Sequence, residues 1–203
     1  MSKNLIVDFV GVIEYTPEQL NESMQQNSGK LILAGPLQRY GSTNQNARVY
    51  PEDVLKREAA KYKSTFIAER RALGELDHPE SSVVNLSNVS HNMLDLWWDG
   101  NTLMGKLEIL PTPSGNIAKQ LFQAGIKLGI SSRGMGSVRE IGEGKVEVQD
   151  DFEIVCWDLV SNPSTHGAFM TGGQMNESYN GLIKKASKYE NIDNLITNII
   201  TLL

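Results

Sequence analysis

Short apolar runs broken by glycine and proline mark the strands of this chain. The β-branched run at 5–13 predicts a well-buried strand, and residues 30–34 predict a second strand that ends at Gly35-Pro36. Alternating apolar and polar residues over 103–110 predict a further strand that stops at Pro111. Three more strands are predicted in the second half of the chain, near 127–132, 145–149 and 152–160.

Three helices are predicted between these strands. Thr16 is the expected N-cap of the first, with Pro17 in its first position. The second opens at Tyr50-Pro51, and Ser114 caps the third, which stops at Gly125. Because helices and strands follow in irregular order rather than as repeated βαβ units, the predicted fold class is α+β. The third helix has a predicted apolar stripe made of Ile117, Leu121 and Ala124.

The composition of the chain changes after residue 166. Residues 167–181 are Gly, Ser, Asn and Met with little periodicity, which predicts a flexible linker. Beyond it, residues 182–203 carry apolar side chains at helical spacing, which predicts an amphipathic C-terminal helix or tail. A single folded domain is therefore expected to span 1–166.

The composition of the chain excludes several classes of protein. The chain has 203 residues, of which 40% are hydrophobic and 21% are charged, as in folded soluble proteins. Its net charge of −5 lacks the basic character expected of a phosphate-tracking protein, so no direct nucleic-acid binding is expected. Cys156, the single cysteine, excludes an internal disulfide and a cysteine-rich zinc site. No apolar run is long enough to cross a bilayer and no leader opens the chain, so we expect a cytoplasmic protein without membrane contact.

The segment 74–79 places two carboxylates, Glu75 and Asp77, around His78. Pro79 favours an extended backbone at the histidine. Histidine is the side chain best suited to move protons near neutral pH, so His78 is a candidate general base. The alternative is a surface loop in which the histidine has no chemical role.

The segment 129–137 places two serines at the end of an apolar run, directly before an arginine and several glycines. This arrangement suits a nucleophile at a strand end, beside backbone N–H groups that bind an oxyanion. The spacing is not that of the G-x-S-x-G nucleophile elbow. A glycine-rich hairpin without chemistry is the alternative.

Strand alternation separates the two serines. Leu128, Ile130 and Ser132 share one face, which is apolar and expected to lie on the core. Ser131 and Arg133 share the other face. Because an arginine needs solvent or an anion, we expect that face to open on a cleft, with Ser131 as the accessible hydroxyl. A β-bulge in this strand would exchange the two faces.

Asp158 lies inside the apolar strand predicted at 152–160. A carboxylate in such a strand needs a hydrogen-bond partner if it faces the core, and a histidine is one candidate. The alternative is an outward-facing aspartate on a half-exposed strand. Serine, histidine and aspartate would together make a catalytic triad, but their order along the chain neither supports nor excludes one.

Five segments in this order resemble the tailed-phage prohead (capsid-maturation) core proteases. The resemblance extends over about residues 44–164, and neither the N-terminal segment nor the tail is tied to it. The segments that carry it are 44–51, 74–79, 96–101, 129–134 and 158–164.

The resemblance implies a fold similar to the herpesvirus assembly protease, a distorted and mainly antiparallel β-barrel surrounded by helices. It also implies a serine endopeptidase that works inside the immature prohead, in the host cytoplasm. Its substrates and partners would be the scaffold or core proteins, the capsid protein and the enzyme itself, and it would form a homo-oligomer. Proteases of this kind often cut after a glutamate that follows Leu or Ile two positions earlier. No cofactor or metal is expected.

In such an enzyme Ser131 is the nucleophile, His78 is the base and Asp158 orients the imidazole. Backbone amides near Arg133 and Gly134, assisted by the arginine, would bind the oxyanion. The herpesvirus enzymes use a second histidine in place of the carboxylate, and His91 is a candidate for it. The more common situation for such a histidine is burial beside a satisfying neighbour.

Two other classes of protein fit parts of the sequence. A non-catalytic structural or scaffold-binding head protein would use the apolar C-terminal helix to dock on another surface. A metal hydrolase would use Glu75, Asp77, His78 and His91, although the helical H-E-x-x-H spacing of many zinc enzymes is absent.

Overall fold

Ten strands and three α-helices are found in residues 3–13, 15–77 and 79–161, which this computed structural model describes. His78, the linker predicted at 167–181 and the helix predicted at 182–203 lie outside the described residues. All of the described residues belong to the first of two units, 1–173 and 174–203, into which the chain divides.

The helices are α1 (Pro17–Gln26), α2 (Glu52–Tyr62) and α3 (Pro113–Gln123). The predicted cap of α1 is confirmed: the Thr16 hydroxyl accepts from the Gln19 amide at 3.3 Å, and the Gln19 side chain accepts from the Thr16 amide. A π-helical turn at Lys63–Ile67 follows α2, and a short 3₁₀ helix lies at Leu86–Asn88.

Helix α3 differs from the prediction in its cap and in its buried face. Thr112, not Ser114, is the N-cap, and its hydroxyl accepts from the Gly115 amide at 3.0 Å. Ile117 is 53% exposed. The helix buries Gly115, Ala118 and Phe122 instead.

Gly115 explains this orientation of α3. A Cβ atom at residue 115 would lie 2.0 Å from the carbonyl oxygen of Leu110, so only glycine permits such a close approach of the helix. The side of the helix that carries Gly115 therefore faces the sheet, so that Ile117 is exposed while Leu121 is only partly buried against the core.

The strands are β1 (Asn4–Ile13), β2 (Ile32–Arg39), β3 (Arg48–Val49), β4 (Leu73–Glu75), β5 (Val89–Asp99), β6 (Thr102–Ile109), β7 (Leu128–Gly136), β8 (Val138–Gly142), β9 (Lys145–Val148) and β10 (Glu153–Val160). They form three sheets, ordered β1-β7-β10, β2-β6-β5-β4 and β3-β9-β8. Every pairing within these sheets is antiparallel except that of β3 with β9.

The mixed α and β content with mainly antiparallel sheets agrees with the predicted class, but the described strands do not close into a hydrogen-bonded barrel. Closure needs a continuous ladder around the barrel. Here no continuous ladder joins β10 to the β4 region, which pairs with it through an isolated parallel bridge between Leu76 and Leu159.

The predicted end of β2 is wrong. The strand continues through Gly35-Pro36 to Arg39, with an irregular register between Pro36 and Gln38. Strand β2 lies at the edge of its sheet, where a proline is tolerated because no partner needs its missing N–H.

The hydrophobic core fixes strand β10 from one side. Trp157 of β10 packs edge-on against Tyr62 of α2, with ring centroids 4.8 Å apart, and both residues are buried. Phe152, just before β10, makes a similar contact with Tyr50 at 5.3 Å. These aromatic contacts hold in place the strand that carries Asp158.

Candidate active site

Ser131 lies in the middle of β7, between two partner strands. Its backbone is opposite Phe9 of β1 on one side and opposite Asp158 of β10 on the other. Directly opposed residues of antiparallel strands point to the same face, so Ser131 and Asp158 share a face. The Ser131 hydroxyl is fully buried, so the prediction that it is accessible from a cleft is wrong. It donates a hydrogen bond to the carbonyl oxygen of Asp8 at 3.2 Å.

Ser132 lies on the opposite face, as predicted. Its neighbours on that face, Leu128 and Ile130, belong to the hydrophobic core. The Ser132 hydroxyl is buried and also donates to the carbonyl oxygen of Asp8, at 3.3 Å. The register shifts fall between residues 9 and 11 of β1 and between 154 and 156 of β10, so alternation along β7 is unbroken.

Arg133 shows that the predicted cleft is wrong for this part of the site. The side chain is fully buried rather than open to solvent. Its Nε donates to Asp158 Oδ2 at 2.9 Å, and its Nη2 donates to Glu75 Oε1 at 2.7 Å. The anions that an arginine requires therefore come from within the protein. The part of Arg133 in binding an oxyanion stays a prediction.

Gly134 follows Arg133 and is explained by packing. A Cβ atom at residue 134 would lie 2.4 Å from the ring of Phe152 and 2.7 Å from the carbonyl oxygen of Glu153. Glycine therefore lets β7 approach the start of β10. Its amide at the oxyanion position likewise stays a prediction.

Asp158 faces inward, so the outward-facing alternative is wrong. Its carboxylate accepts from Arg133, from the backbone amide of Glu75 at 2.9 Å, and from the thiol of Cys156 at 3.3 Å. Burial raises the pKa of Asp158, and the charge of Arg133 opposes that rise. The sequence predicts that a buried aspartate here needs a hydrogen-bond partner, and one of its partners is Arg133.

The residues just before His78 dock along β10. The amide of Asp77 donates to the carbonyl oxygen of Leu159 at 2.7 Å, and Asp77 has a left-handed backbone with φ of 63°. Leu76 forms the bridge with Leu159, and the amide of Glu75 reaches Asp158. Asp77, the residue just before His78, therefore lies beside β10, the strand that carries Asp158.

Gly74 makes this docking possible. A Cβ atom there would lie 2.1 Å from the carbonyl oxygen of Trp157 and 2.3 Å from Nε2 of His91. Any side chain would therefore push β4 away from β10. The glycine that opens the segment 74–79 thus has a packing role.

His91 is a buried structural histidine, which is the more common of the two situations considered for it. Nε2 donates to the carbonyl oxygen of Trp157 at 3.0 Å, and Nδ1 accepts from the Ser90 hydroxyl at 2.9 Å. Both ring nitrogens are therefore used by the neutral imidazole. Burial lowers the pKa of His91 to about 4.

This neutral histidine predicts a pH-dependent stability. In the unfolded chain His91 takes up a proton below its ordinary pKa of 6.5, whereas the folded chain resists protonation down to about pH 4. Its contribution is fully present above pH 6.5, and about 3 kcal/mol of unfolding free energy is lost as the pH falls to 4. Urea unfolding at several pH values measures the loss. His91→Gln should be less stable at pH 7 and show a shallower pH dependence, and parallel curves for the two proteins would contradict this account.

In the metal-hydrolase alternative, Glu75 and His91 would be two of four metal ligands, but the structure gives both of them other partners. Glu75 is ion-paired with Arg133, and His91 is hydrogen-bonded to Ser90 and Trp157. In residues 3–13, 15–77 and 79–161, no group of three or more His, Cys, Asp or Glu side chains is arranged to hold a metal ion.

Asp8 is a site residue that the sequence analysis missed. Three side chains of the segment 44–51 converge on its buried carboxylate: Asn46 Nδ2 at 2.7 Å, Arg48 Nη1 at 2.6 Å, and the hydroxyl of Tyr50. Burial raises the pKa of Tyr50, so its hydroxyl stays protonated and donates. This segment therefore clamps β1, whose Asp8 carbonyl accepts from Ser131.

Comparison with known proteins identifies the family. A family described as prohead core protein serine protease matches residues 3–180. The chain belongs to this family. Its protease activity and its role in phage head maturation follow from that membership and from the relatives it matches. The match also includes β1, which the resemblance over 44–164 had left out.

A sequence match and a structural match, both to phage T4, support the family assignment. The chain is 31% identical over 152 residues to the prohead core protein protease of Enterobacteria phage T4, covering 73% of this chain and 71% of that protein. The structure of the bacteriophage T4 capsid assembly protease, gp21, superposes with a TM-score of 0.68 at 26% identity. That superposition covers 79% of this chain and 99% of the other. In the part of this prohead protease that the structure describes, no helix is long and apolar enough to cross a membrane.

Proposed function

We propose that this prohead protease is a serine endopeptidase with the triad Ser131, His78 and Asp158. The observation that carries the proposal is the pairing of Ser131 with Asp158 across β7 and β10, on one face of the sheet. Docking of the segment that ends at Asp77 along β10 also supports it, because His78 is the next residue. The family name, which includes serine protease, agrees with this type of chemistry.

In the proposed mechanism, Ser131 Oγ attacks the scissile carbonyl while His78 accepts its proton. The imidazolium, stabilised by Asp158, later returns the proton to the leaving amine. Backbone amides near Arg133 and Gly134 bind the oxyanion, and losing one such donor would raise the barrier by about 3–4 kcal/mol. Because Ser131 is fully buried in this structure, a peptide reaches it only after the segments that cover it move.

The proposed substrates are the scaffold or core proteins, the capsid protein and the protease itself. The names of the relatives, a prohead core protein protease and a capsid assembly protease, support the core and capsid proteins as substrates. We further propose that the enzyme acts as a homo-oligomer inside the immature prohead in the host cytoplasm. We also propose that the fold is similar to the barrel of the herpesvirus assembly protease. The mainly antiparallel sheets support this similarity, although the described strands do not close into a barrel.

Self-processing tests the proposed function directly. Among the glutamates that follow Leu or Ile at the expected spacing, Glu22 (after Leu20) and Glu143 (after Ile141) are exposed. Glu22 lies within α1, whereas Glu143 lies in the turn between β8 and β9 and has a left-handed backbone with φ of 53°. We expect cleavage at Glu143 first, because a helix must unfold locally before a protease can cut it.

The measurement is the mass spectrum of the full chain after long incubation, beside that of Ser131→Ala. Defined fragments in the wild-type sample alone would support a serine protease, with the first new terminus after Glu143. Full-length chain in both samples, while added scaffold protein is cleaved by the wild type alone, would overturn self-processing but keep the protease. Absence of any Ser131-dependent cleavage would favour the non-catalytic head protein.

A further inference from the structure

Glu75 is a fully buried carboxylate beside the proposed triad, and the mechanism above gives it no role. Its Oε1 accepts from Arg133 Nη2 at 2.7 Å and from the amide of Asn85 at 3.0 Å. Its Oε2 is also buried and has no hydrogen-bond partner among the described residues. A buried carboxylate with a free oxygen is costly to maintain, so its presence here requires an explanation.

Arg133 connects Glu75 to Asp158. The guanidinium donates through Nε to Asp158 Oδ2 at 2.9 Å and through Nη2 to both Asp158 Oδ1, at 3.1 Å, and Glu75 Oε1. Its Nη1 is held by the carbonyl oxygen of Ser81 at 2.9 Å. The planar fork of an arginine fixes direction as well as distance, so the position of Glu75 determines how the arginine meets Asp158.

Glu75 also reaches Asp158 directly. Its backbone amide donates to Asp158 Oδ1 at 2.9 Å. The first oxygen of Asp158 thus accepts from Glu75, Arg133 and Cys156, whereas the described residues give the second oxygen one donor, Arg133 Nε. A carboxylate oxygen has two lone-pair sites, so Oδ2 retains a position for the N–H of an imidazole.

The charges of this cluster do not cancel. Glu75 from β4 and Asp158 from β10 contribute two negative charges, and Arg133 from β7 contributes one positive charge. Burial raises the pKa of the Cys156 thiol, so it stays neutral. One net negative charge therefore remains where all three charged side chains are fully buried. A positive charge that develops next to the cluster would be stabilised strongly, since little water screens it.

We propose that Glu75 is a positioning residue of the catalytic site: it holds Arg133 so that Asp158 presents Oδ2 to the imidazole, and it supplies the negative charge that balances the imidazolium. This inference rests on the proposed serine-protease function. A purely structural ion pair would stabilise the fold without altering how the rate depends on pH.

The experiment tests whether the negative charge of Glu75, rather than its size, affects catalysis. Glu75→Gln keeps the size and one acceptor oxygen but removes the charge. Glu108→Gln is the matched control, because Glu108 is a buried carboxylate that pairs with Lys30 and lies on β6, two strands away from Glu75 in the same sheet. The readouts are kcat and KM on a peptide with a glutamate at the cleavage position, and the rate of labelling by a fluorophosphonate at several pH values. In the labelling step the Ser131 Oγ–P bond forms, the P–F bond breaks, and fluoride leaves while His78 takes the serine proton.

We expect Glu75→Gln to lower kcat about 10- to 100-fold with little change in KM, as for other residues that orient a reacting group. The pH midpoint of labelling should fall, because removing a negative charge makes the imidazole easier to deprotonate. Glu108→Gln should match the wild type in both respects. A folded Glu75→Gln protein with wild-type kcat and an unchanged midpoint would overturn the inference.

Two further variants separate failure of the role of Glu75 from failure of folding and of the serine mechanism. If Glu75→Gln does not fold, Glu75→Asp retains the charge on a shorter side chain, and the inference then requires a lower kcat with the pH midpoint of the wild type. Wild-type kcat in Glu75→Asp would overturn it. The Ser131→Ala protein tests the proposed function separately: if it labels as fast as the wild type, the serine mechanism fails rather than the role of Glu75.

Discussion

The Asp158→Asn protein is expected to lose about 10⁴-fold in kcat, the scale seen when the carboxylate of a serine triad is replaced by an amide. An asparagine at this position can no longer hold the imidazole in its reactive tautomer or balance the imidazolium. The amide also brings an N–H group toward Arg133 Nε, which is itself a donor 2.9 Å from the present carboxylate oxygen. The substitution therefore affects the catalytic group and the buried cluster together.

Stability must be measured beside activity for this substitution. The structure shows Asp158 as the counter-ion of a buried arginine, so its replacement affects the fold as well as catalysis. Removing one partner of a buried ion pair costs about 3–5 kcal/mol. We therefore expect a lower midpoint of urea unfolding as well as lower kcat, with activity assayed where circular dichroism shows a folded chain.

Asp150→Asn is the matched control for Asp158→Asn. Asp150 has an 87% exposed side chain, 4.0 Å from Arg57, so its replacement should leave kcat and stability near those of the wild type. A folded Asp158→Asn protein that keeps wild-type turnover would remove Asp158 from the triad.

The elements that the sequence predicted correctly are those whose start or end depends on nearby residues. Thr16 and Pro17 define the start of α1 through capping chemistry that needs no tertiary partner. The continuation of β2 through Pro36 was missed because a proline is excluded from central strands but allowed at an edge, and the position of a strand in its sheet is not a local property. The buried face of α3 depends likewise on the close approach of Gly115 to Leu110.

The candidate site was predictable in part for the same reason. Alternation along β7 is local, and it assigned Ser131 and Ser132 to opposite faces correctly. The burial of Arg133 is not local, because one of its carboxylate partners, Glu75, lies 58 residues earlier and is brought to it by β4. No pattern around Glu75 distinguishes it from a surface glutamate in a loop.

Asp8 differs from Glu75 in this respect. It lies in the apolar run at 5–13, just as Asp158 lies in the run at 152–160. A carboxylate in the interior of an apolar strand indicates a buried partner in both cases. Applied to Asp8, the same argument predicts a buried partner for β1, and Asn46, Arg48 and Tyr50 are the partners in the structure.

Ser131→Ala and Ser132→Ala should differ by several orders of magnitude in kcat, by roughly 10⁶-fold if Ser131 is the nucleophile. Losing the nucleophile of a serine protease lowers kcat by roughly 10⁶-fold, so Ser131→Ala should abolish acylation and turnover. Ser132 lies on the core face, away from Asp158, and its hydroxyl makes a hydrogen bond of 3.3 Å to the Asp8 carbonyl oxygen. Its removal should cost about 1 kcal/mol of stability and leave the nucleophile in place.

The shared acceptor makes this comparison sharper. Both serine hydroxyls donate to the carbonyl oxygen of Asp8, so a change in β1 alone would affect the two residues alike. Only the face of the strand separates them, since Ser131 is opposite Asp158 and Ser132 is opposite Trp157 of the core. Labelling with a fluorophosphonate followed by peptide mapping should therefore place the label on Ser131 in the wild type and in Ser132→Ala, and on neither serine in Ser131→Ala. A label found on Ser132 of the wild-type protein would transfer the nucleophile to the core face and refute the assignment.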